Sequence, residues 1–186
     1  MRFRLAAFAV LALVALAMPA RAQSTLEDYD KARAALLSVW SGLPLSVRNV
    51  TLIEEPAPAF GNYTVHAGQS YRQGEPINVY VEALGYGWAD NGDGTLSELL
   101  DADLNLLDGS GAQVAQQLNF LHSDIRSNSR LLETYLNLRV TLTSFDPGEY
   151  RLQFVLHDRA AGKSTDFEVP VTLLGADASL PGASGQ

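Results

Sequence analysis

Apolar and polar residues alternate along most of the chain after residue 45. Five segments show this period of two clearly, and they are 77–83, 100–106, 136–142, 150–157 and 167–173. A period of two is that of a β-strand with one buried and one polar face, which is typical of antiparallel sheets. Weaker alternation at 47–53 and 114–120 predicts two further strands, and a third at 63–66 is left open.

The segments between these predicted strands carry the residues of tight turns. They are Asn91–Gly94, Asp108–Gly111, Asp146–Gly148 and Ala160–Lys163. Glycine, asparagine, aspartate and proline favour the backbone angles that such turns require. Seven or eight short strands joined in this way predict a mainly β fold, an antiparallel two-sheet sandwich over residues 45–174.

Two stretches depart from the regular alternation. Pro170 lies inside the last predicted strand. Because proline has no N–H to donate, that strand is expected at a sheet edge or with a bulge. Residues 123–130 are polar and irregular, and they are predicted to form a long loop.

A different spacing precedes the strands, in the N-terminal segment 23–44. Apolar residues recur there every three or four positions, and they are Leu26, Tyr29, Leu36, Val39 and Trp40. This is the period of an amphipathic helix. Ser24 and Glu27 have the spacing of a capping box, and Gly42 and Pro44 would end the helix. The pattern predicts one helix over residues 25–41 that packs against the domain that follows.

The segment FDPGEYRLQFVLHDRAAGKSTDFEVPVTL, residues 145–173, combines a Pro-Gly turn, a strand that opens with tyrosine and closes with aspartate, a Gly-Lys turn and a final strand. It resembles the last hairpin of immunoglobulin-like and fibronectin-III-like domains in secreted bacterial proteins. The segment GEPINVYVEALGYG, residues 74–87, resembles an early strand of such domains. The resemblance implies an immunoglobulin-like sandwich. It implies no activity, because folds of this kind carry unrelated functions.

The two ends of the chain have compositions of their own. Residues 1–22 combine a basic start, an apolar run at 5–18 and the small-residue pattern Ala20-Arg21-Ala22. These features predict a cleavable signal peptide and a periplasmic or secreted protein, with an uncleaved anchor as the alternative. The apolar run is shorter than the roughly 20 residues that a membrane-spanning helix needs. Residues 175–186 are small and polar, and they are predicted to form a disordered tail.

Charge and cysteine content limit the classes of partner. The chain carries a net charge of −8 and no cysteine. Loss of the three arginines in residues 1–22 would bring the charge to about −11. Such a surface repels phosphate backbones, so a nucleic-acid partner is not expected. A cationic partner, a divalent metal or a neutral ligand remains open.

The sequence Gly162-Lys163-Ser164 has the ending of a phosphate-binding P-loop. That motif requires a first glycine five positions before the second and a helix directly after it. His157 occupies the position of the first glycine, and a strand that contains Pro170 follows. Without a helix N-terminus the loop cannot present a row of amides to a phosphate. The segment is therefore predicted to be a hairpin turn, with Asp158 and Lys163 as solvated turn residues.

Residues 89–101, ADNGDGTLSELLD, resemble a calcium-binding loop. With Gly94 at loop position 6, two oxygen ligands fall in place, but Ala89 and Leu100 occupy the first and last ligand positions. A plain turn is therefore the expected structure. The alternative is a metal site, and its candidate ligands are Asp90, Asp93, Asp101 and Asp103 together with a histidine.

No complete catalytic motif is present in the sequence. The chain has three histidines, His66, His122 and His157, and it lacks a G-x-S-x-G elbow and an H-E-x-x-H zinc motif. Nucleophilic hydrolysis needs an activated serine or cysteine, and zinc chemistry needs clustered ligands. The sequence therefore predicts a protein that is not an enzyme and has no cofactor. Convergence of the three histidines in space is left open.

Tyr80, Tyr86 and Trp88 precede the Asn91–Gly94 turn and are expected to form an exposed aromatic surface. Such side chains bury a large area at little entropic cost, so they serve as binding anchors. The main interpretation is a non-enzymatic module that binds a protein or a cell-envelope component through this surface or through an exposed strand edge. The alternative is a metal-dependent enzyme or a calcium-stabilised domain. A carrier of an apolar ligand is a third possibility.

Overall fold

The computed structural model of the protein describes residues 24–175. The expected signal peptide, residues 1–22, and residues 176–186 of the expected tail lie outside this range. One helix and nine strands are present in the described range: α1 (Leu26–Gly42), β1 (Ser46–Ile53), β2 (Ser70–Arg72), β3 (Pro76–Leu84), β4 (Ala89–Asp90), β5 (Leu96–Asp108), β6 (Gln113–Ser127), β7 (Tyr135–Thr141), β8 (Gly148–Asp158) and β9 (Lys163–Leu174).

The strands form two curled sheets, which confirms the mainly β class. The three-stranded sheet has the order β1-β3-β7, and both of its pairings are antiparallel. In the six-stranded sheet, β2, β9, β8 and β5 are neighbours in that order. β6 pairs with one edge of β5. The other edge of β5 pairs with β8 and, beyond the end of β8, with the short strand β4. β6 and β7 are therefore edge strands of different sheets.

One apolar core lies between the two sheets. The alternating residues that face it come from both sheets, among them Val79, Leu138, Leu104, Phe154 and Val171. The five clearly alternating segments all form strands, as their period of two predicts. Pro170 stands opposite Arg151 of β8. On its other side β2 covers only residues 172–174. β9 is therefore an edge strand at Pro170, as expected, but an inner strand over its last three residues, and its pairing with β8 has no bulge.

The second face of β3 is buried as well, although its residues are polar in sequence. Asn78, Tyr80 and Glu82 are 6%, 0% and 3% exposed. The segment 54–66 lies across them: the Gly61 N–H donates to the Tyr80 hydroxyl at 2.9 Å, and the Tyr63 and Tyr80 rings are 4.3 Å apart. Residues 63–66 contribute only an isolated bridge and form no strand.

Helix α1 forms where the sequence predicts it, but its cap and its packing differ from the prediction. The capping box joins Thr25 and Asp28, one residue later than Ser24 and Glu27. Trp40 is its one buried residue, and its indole N–H donates to the Tyr86 carbonyl at 2.8 Å. The apolar stripe toward the N-terminus is solvent-exposed, so only the C-terminal turn anchors the helix. Among residues 24–175 no helix has the length and apolar character required to cross a bilayer.

The loop predicted at residues 123–130 is wrong over its first half. β6 continues to Ser127 and pairs with β5 as far as Leu96. Its half-buried side chains there are Ser123, Ile125 and Ser127, which alternate with exposed ones, so the backbone pairing with β5 and not an apolar face determines the strand. The turn predictions hold: the β8–β9 hairpin closes through Gly162, at a φ of 67°, and the strand β9 follows it directly.

Candidate functional site

A groove opens between β6 and β7, where the two sheets do not join. It encloses about 400 Å³. Apolar side chains of three strands form its floor, and they are Leu104, Leu106, Phe120 and Val140. Gln116, Arg139 and Thr141 add polar groups to its lining. The groove therefore offers an apolar surface with polar groups beside it, the composition of many ligand sites.

β7 borders this groove with an unpaired edge. It is hydrogen-bonded to β3 on one side, and no strand among residues 24–175 pairs with the other. Leu136, Leu138 and Val140 alternate inward and are buried. An unpaired edge presents a row of N–H and C=O groups, which is a template for another strand.

The register of β7 identifies the groups on that edge. Pro76 stands opposite Thr141. Because proline has no N–H, this pair cannot exchange two hydrogen bonds. Hydrogen-bonded and non-hydrogen-bonded pairs alternate along antiparallel strands, so the hydrogen-bonded residues of β7 are Val140, Leu138 and Leu136. The N–H and C=O groups of Asn137 and Arg139 then point away from β3, toward the unpaired edge.

The edge of β6 across the groove is less regular. The pairing of β6 with β5 shifts register twice, and Asn119 has a positive φ of 50°. The Asp103 carboxylate accepts from the Asn119 N–H at 2.7 Å and holds this irregularity in place. Bulges and charges are the features that protect edge strands from pairing. β7 is therefore the more accessible template.

The expected exposed aromatic surface is wrong for two of its three residues. Tyr80 lies under the segment 54–66, and Tyr86 is 1% exposed, with its hydroxyl donating to the Leu131 carbonyl at 3.0 Å. Trp88 is partly buried and stacks on Trp40, with 6.0 Å between the ring centroids. These rings hold the C-terminal end of α1 against the sheets, because Trp40 contacts both Tyr86 and Trp88.

Asp158 and Lys163, which the sequence predicts to be solvated turn residues, form hydrogen bonds with backbone groups. Asp158 is buried and accepts hydrogen bonds from the backbone N–H groups of Gly87, Ala160 and Ala161 at 2.7, 2.9 and 3.1 Å. The Lys163 ammonium donates to two backbone carbonyls, those of Leu43 and Gly85. Both side chains therefore join the β8–β9 turn to the segment after α1 and the end of β3. Their sequence neighbours gave no signal of this role.

Glu98 is a buried carboxyl group beneath the same region, and it is 1% exposed. Its Oε1 accepts from the Thr134 hydroxyl at 2.7 Å, whereas Oε2 has no hydrogen-bond partner among residues 24–175. Burial raises the pKa of Glu98, the hydrogen bond from the Thr134 hydroxyl opposes that shift, and the charge of Asp158 adds to it. Glu98 has the same parity as the buried Leu100 and Ala102, so extending their alternation by one step would have placed it on the buried face of β5.

The four carboxylates of the alternative metal site have other partners. Asp90 caps the β4–β5 turn, and Asp93 binds Thr95 and Arg126 there. Asp101 and Asp103 lie on β5. Asp101 forms an ion pair with Arg159 of the β8–β9 turn, and each carboxylate lies within hydrogen-bonding distance of a histidine on a neighbouring strand. Within residues 24–175, no three His, Asp or Glu side chains are arranged to share a metal ion.

The three histidines do not meet at one site. His122 Nδ1 lies 2.7 Å from Asp101 Oδ1, and His157 Nε2 lies 3.1 Å from Asp103 Oδ2. These two belong to strands on either side of β5. His66 lies apart from them and stacks on Tyr71, with 4.6 Å between the ring centroids. Two histidine–carboxylate pairs therefore share one face of the six-stranded sheet.

Comparisons with known proteins do not place the chain in a family. No protein-family model matches it, and no curated protein does. Several solved structures show loose similarity, and three of them are described here. The sporulation control protein Spo0M from Bacillus subtilis has a TM-score of 0.41 at 11% identity, over 72% of this chain and 50% of its own.

The other two structures are enzymes. A family 123 glycoside hydrolase from Clostridium perfringens has a TM-score of 0.41 at 8% identity, over 71% of this chain and 27% of its own. The alkylpurine DNA glycosylase AlkC from Pseudomonas fluorescens has a TM-score of 0.38 at 11% identity, over 82% and 40%. This chain spans half or less of each protein, and similarity of this size carries no argument about function.

Proposed function

We propose that this protein is a non-enzymatic module that binds an extended segment of a partner protein by strand addition to β7. The observation that carries the proposal is the unpaired edge of β7, which borders an apolar groove. In strand addition, main-chain hydrogen bonds supply affinity and alternate side chains supply specificity. This mode of binding requires no catalytic group and leaves no sequence motif.

The partner segment has a definite chemistry. A strand that pairs with all seven residues of β7 spans roughly 23 Å, at about 3.3 Å per residue. Every second side chain then enters the groove over Leu104, Leu106 and Phe120, so these positions are apolar. The remaining positions face solvent and are polar. The chain's net charge of −8 favours a partner that carries basic residues around this strand.

We also propose that the protein acts in the periplasm or outside the cell. The composition of residues 1–22 supports this, because a basic start, an apolar run and an Ala-x-Ala site together are typical of a cleavable signal peptide. The partner is accordingly an exported protein or a protein component of the cell envelope.

The finer fold assignment, an immunoglobulin-like sandwich, is part of the proposal. Two sheets around one core and antiparallel hairpins support it. The parallel pairing of β2 with β9 and the six-stranded second sheet are departures from the simplest form of that fold. An experimental structure with a different strand order would contradict the assignment.

Two substitutions at Arg139 distinguish the contribution of its backbone N–H to peptide binding from the contribution of its side chain. Arg139→Pro removes a backbone N–H from the unpaired edge and leaves the hydrogen bonds to β3 in place. Arg139→Ala removes the same side chain but keeps the N–H. Melting curves check that both variants fold, and Thr141→Pro serves as a second edge variant if Arg139→Pro does not.

The probe is a set of 12-residue peptides selected from a random library on the wild-type protein. The selected peptides are expected to alternate apolar and polar residues, and to bind the wild type and Arg139→Ala with similar affinity. Arg139→Pro is expected to weaken them about tenfold, because each lost hydrogen bond leaves a peptide carbonyl unpaired. Equal affinity for both variants, or selection of no peptide at all, would contradict strand addition at β7.

A further inference from the structure

Helix α1 carries an apolar seam that is open to solvent. Five residues with the a and d spacing of a heptad repeat form this α1 seam, and they are Tyr29, Ala32, Leu36, Val39 and Leu43, the last of which caps the helix. All five are exposed, and the fractions for Tyr29, Leu36 and Val39 are 61%, 49% and 62%. The seam is therefore uncovered along its whole length.

The domain contacts a different side of the helix. Trp40 is buried against Tyr86, and Leu37 and Ser41 line a cleft beside Trp88. With 3.6 residues in each turn, these helix residues lie about a third of a turn away from the middle of the seam. The domain can therefore stay in contact with α1 while a partner lies on the seam.

A helix of this length ordinarily depends on a packing surface. Isolated helices of about this length are marginal in water, and helices in proteins are stabilised mainly by the burial of an apolar face. The capping box and the Glu27–Lys31 ion pair support α1 locally, but an exposed pair of this kind contributes little. Trp40 is the one buried residue among the 17 of α1. A partner on the seam would provide the burial that the monomer lacks.

The charges beside the seam are placed for a second copy of α1. Asp28 occupies a g position, and Arg33 occupies the e position five residues later. In a parallel two-stranded coiled coil, a g residue of one helix faces the following e residue of the other helix. Two parallel copies would therefore form Asp28–Arg33 ion pairs on both sides of the seam. The capping box uses Oδ2 of Asp28, which leaves Oδ1 for this pair.

Other partners fit these charges less well. The charged residues of α1 all lie in its first half, and they are Glu27, Asp28, Asp30, Lys31 and Arg33. An antiparallel copy would set them against the uncharged half, residues 34–42. A helix that binds an anionic membrane surface has basic residues on its polar face, whereas acidic residues are in excess on α1.

We propose that two copies of this protein associate through parallel pairing of their α1 seams. The seam spans little more than two heptads, whereas a coiled coil typically has about three or more, so the dimer is expected to depend on protein concentration. Each α1 leads into its domain at its C-terminal end, so both domains lie at the same end of the helix pair. None of the seam residues lines the groove beside β7, so the dimer does not depend on strand addition.

Sedimentation equilibrium of the wild-type protein at about 5 to 500 μM measures the association. The mass is expected to rise from that of a monomer to that of a dimer over this range. Leu36→Glu is expected to weaken the dimer about tenfold or more, because pairing would bury two carboxylates. Ser38→Glu introduces the same charge at an exposed position outside the seam and is expected to dimerise like the wild type. Melting curves check that both variants fold.

Single cysteines test the orientation of the helices, because the chain has none of its own. Ala32→Cys and Val39→Cys are each expected to form a disulfide with the same position of the second copy, since a parallel pair in register brings both positions together. An antiparallel pair allows this only near its centre. Ser38→Cys is the control and is expected to remain reduced.

Three results would overturn the proposal. They are a wild-type protein that stays monomeric at the highest concentration, cross-linking of only one seam cysteine, and cross-linking of Ser38→Cys as fast as Val39→Cys. Maleimide labelling of Val39→Cys identifies the cover in the first case. A monomer that resists the reagent would indicate that residues 1–23 lie on the seam, and a reactive monomer would show that nothing does.

Discussion

Replacing Glu98 by glutamine is predicted to stabilise the protein near neutral pH and to flatten the pH dependence of its stability. The carboxyl group is 1% exposed, and Oε2 finds no donor within residues 24–175, so the charged form is poorly stabilised. Burial therefore raises its pKa above the ordinary value of 4.5. Glutamine has nearly the same shape and carries no charge.

The sign and size of the effect follow from proton linkage. A raised pKa in the folded state means that the folded protein binds this proton more tightly than the unfolded chain does. The resulting stability is complete below pH 4.5 and is lost as the pH rises through the folded-state pKa. Within that window the free energy of unfolding falls by up to about 1.4 kcal/mol per pH unit.

Other carboxyl groups do not obscure this window. Hydrogen bonds from Thr95 and Ser110 lower the pKa of Asp93 and of Asp108 respectively, so these groups change charge below their ordinary pKa of 3.8. From about pH 5 upward, the fall of the unfolding free energy with pH that Glu98 causes is expected to remain.

The assay is urea unfolding of the wild type and Glu98→Gln at half-unit steps from pH 5 to pH 8, with Glu149→Gln as a control at an exposed carboxylate. The difference in unfolding free energy between Glu98→Gln and the wild type is expected to grow with pH and then level off. The control is expected to run parallel to the wild type. A Glu98→Gln curve parallel to the wild type would refute the reasoning, because it would place the folded-state pKa at its unfolded value.

Three further predictions concern the anchor of α1, the β8–β9 turn and the leader. Trp40→Ala is expected to cost about 3–5 kcal/mol, and Trp40→Phe about 1–3 kcal/mol through the carbonyl of Tyr86 that it leaves unpaired. No loss in urea unfolding for Trp40→Phe would show that the 2.8 Å hydrogen bond is unimportant. Asp158→Ala is expected to cost about 3 kcal/mol or more, because three backbone N–H groups lose their acceptor. A melting temperature unchanged from the wild type would contradict that role, and Asp158→Asn, which keeps one oxygen, is expected to lose less. Mass spectrometry of the exported protein is expected to find Gln23 at its N-terminus, and an intact Met1 in the membrane fraction would support the uncleaved anchor instead.

The strands could be predicted from the sequence because their signal is local. Alternating residues such as Leu152, Phe154 and Leu156 each report a buried face without reference to other elements. The helix was located from its apolar spacing, but its cap was not: Ser24 with Glu27 and Thr25 with Asp28 have the same spacing, and only the backbone decides between them.

The errors share a non-local cause. Tyr80 was expected to be exposed because its strand face is polar, yet the segment 54–66 folds over it from elsewhere in the chain. Asp158 and Lys163 looked like turn residues because their partners are as distant in sequence as Gly87 and Leu43. The sequence predicts a loop for the end of β6, residues 123–127, because two of the three half-buried residues there, Ser123 and Ser127, are polar and leave no apolar alternation.

The candidate site depends on strand order, which alternation does not encode. Leu138 and Val140 predict that β7 is a strand. The sequence does not indicate that, among residues 24–175, β7 pairs with β3 alone.

Amide hydrogen exchange on β7 tests strand addition most directly. In the free protein the N–H groups of Leu136, Leu138 and Val140 are expected to exchange slowly, whereas those of Asn137 and Arg139 exchange fast. Binding of a selected peptide is expected to slow Asn137 and Arg139. Protection that appears only on β6, or a complex in which both amides stay fast, would contradict the account.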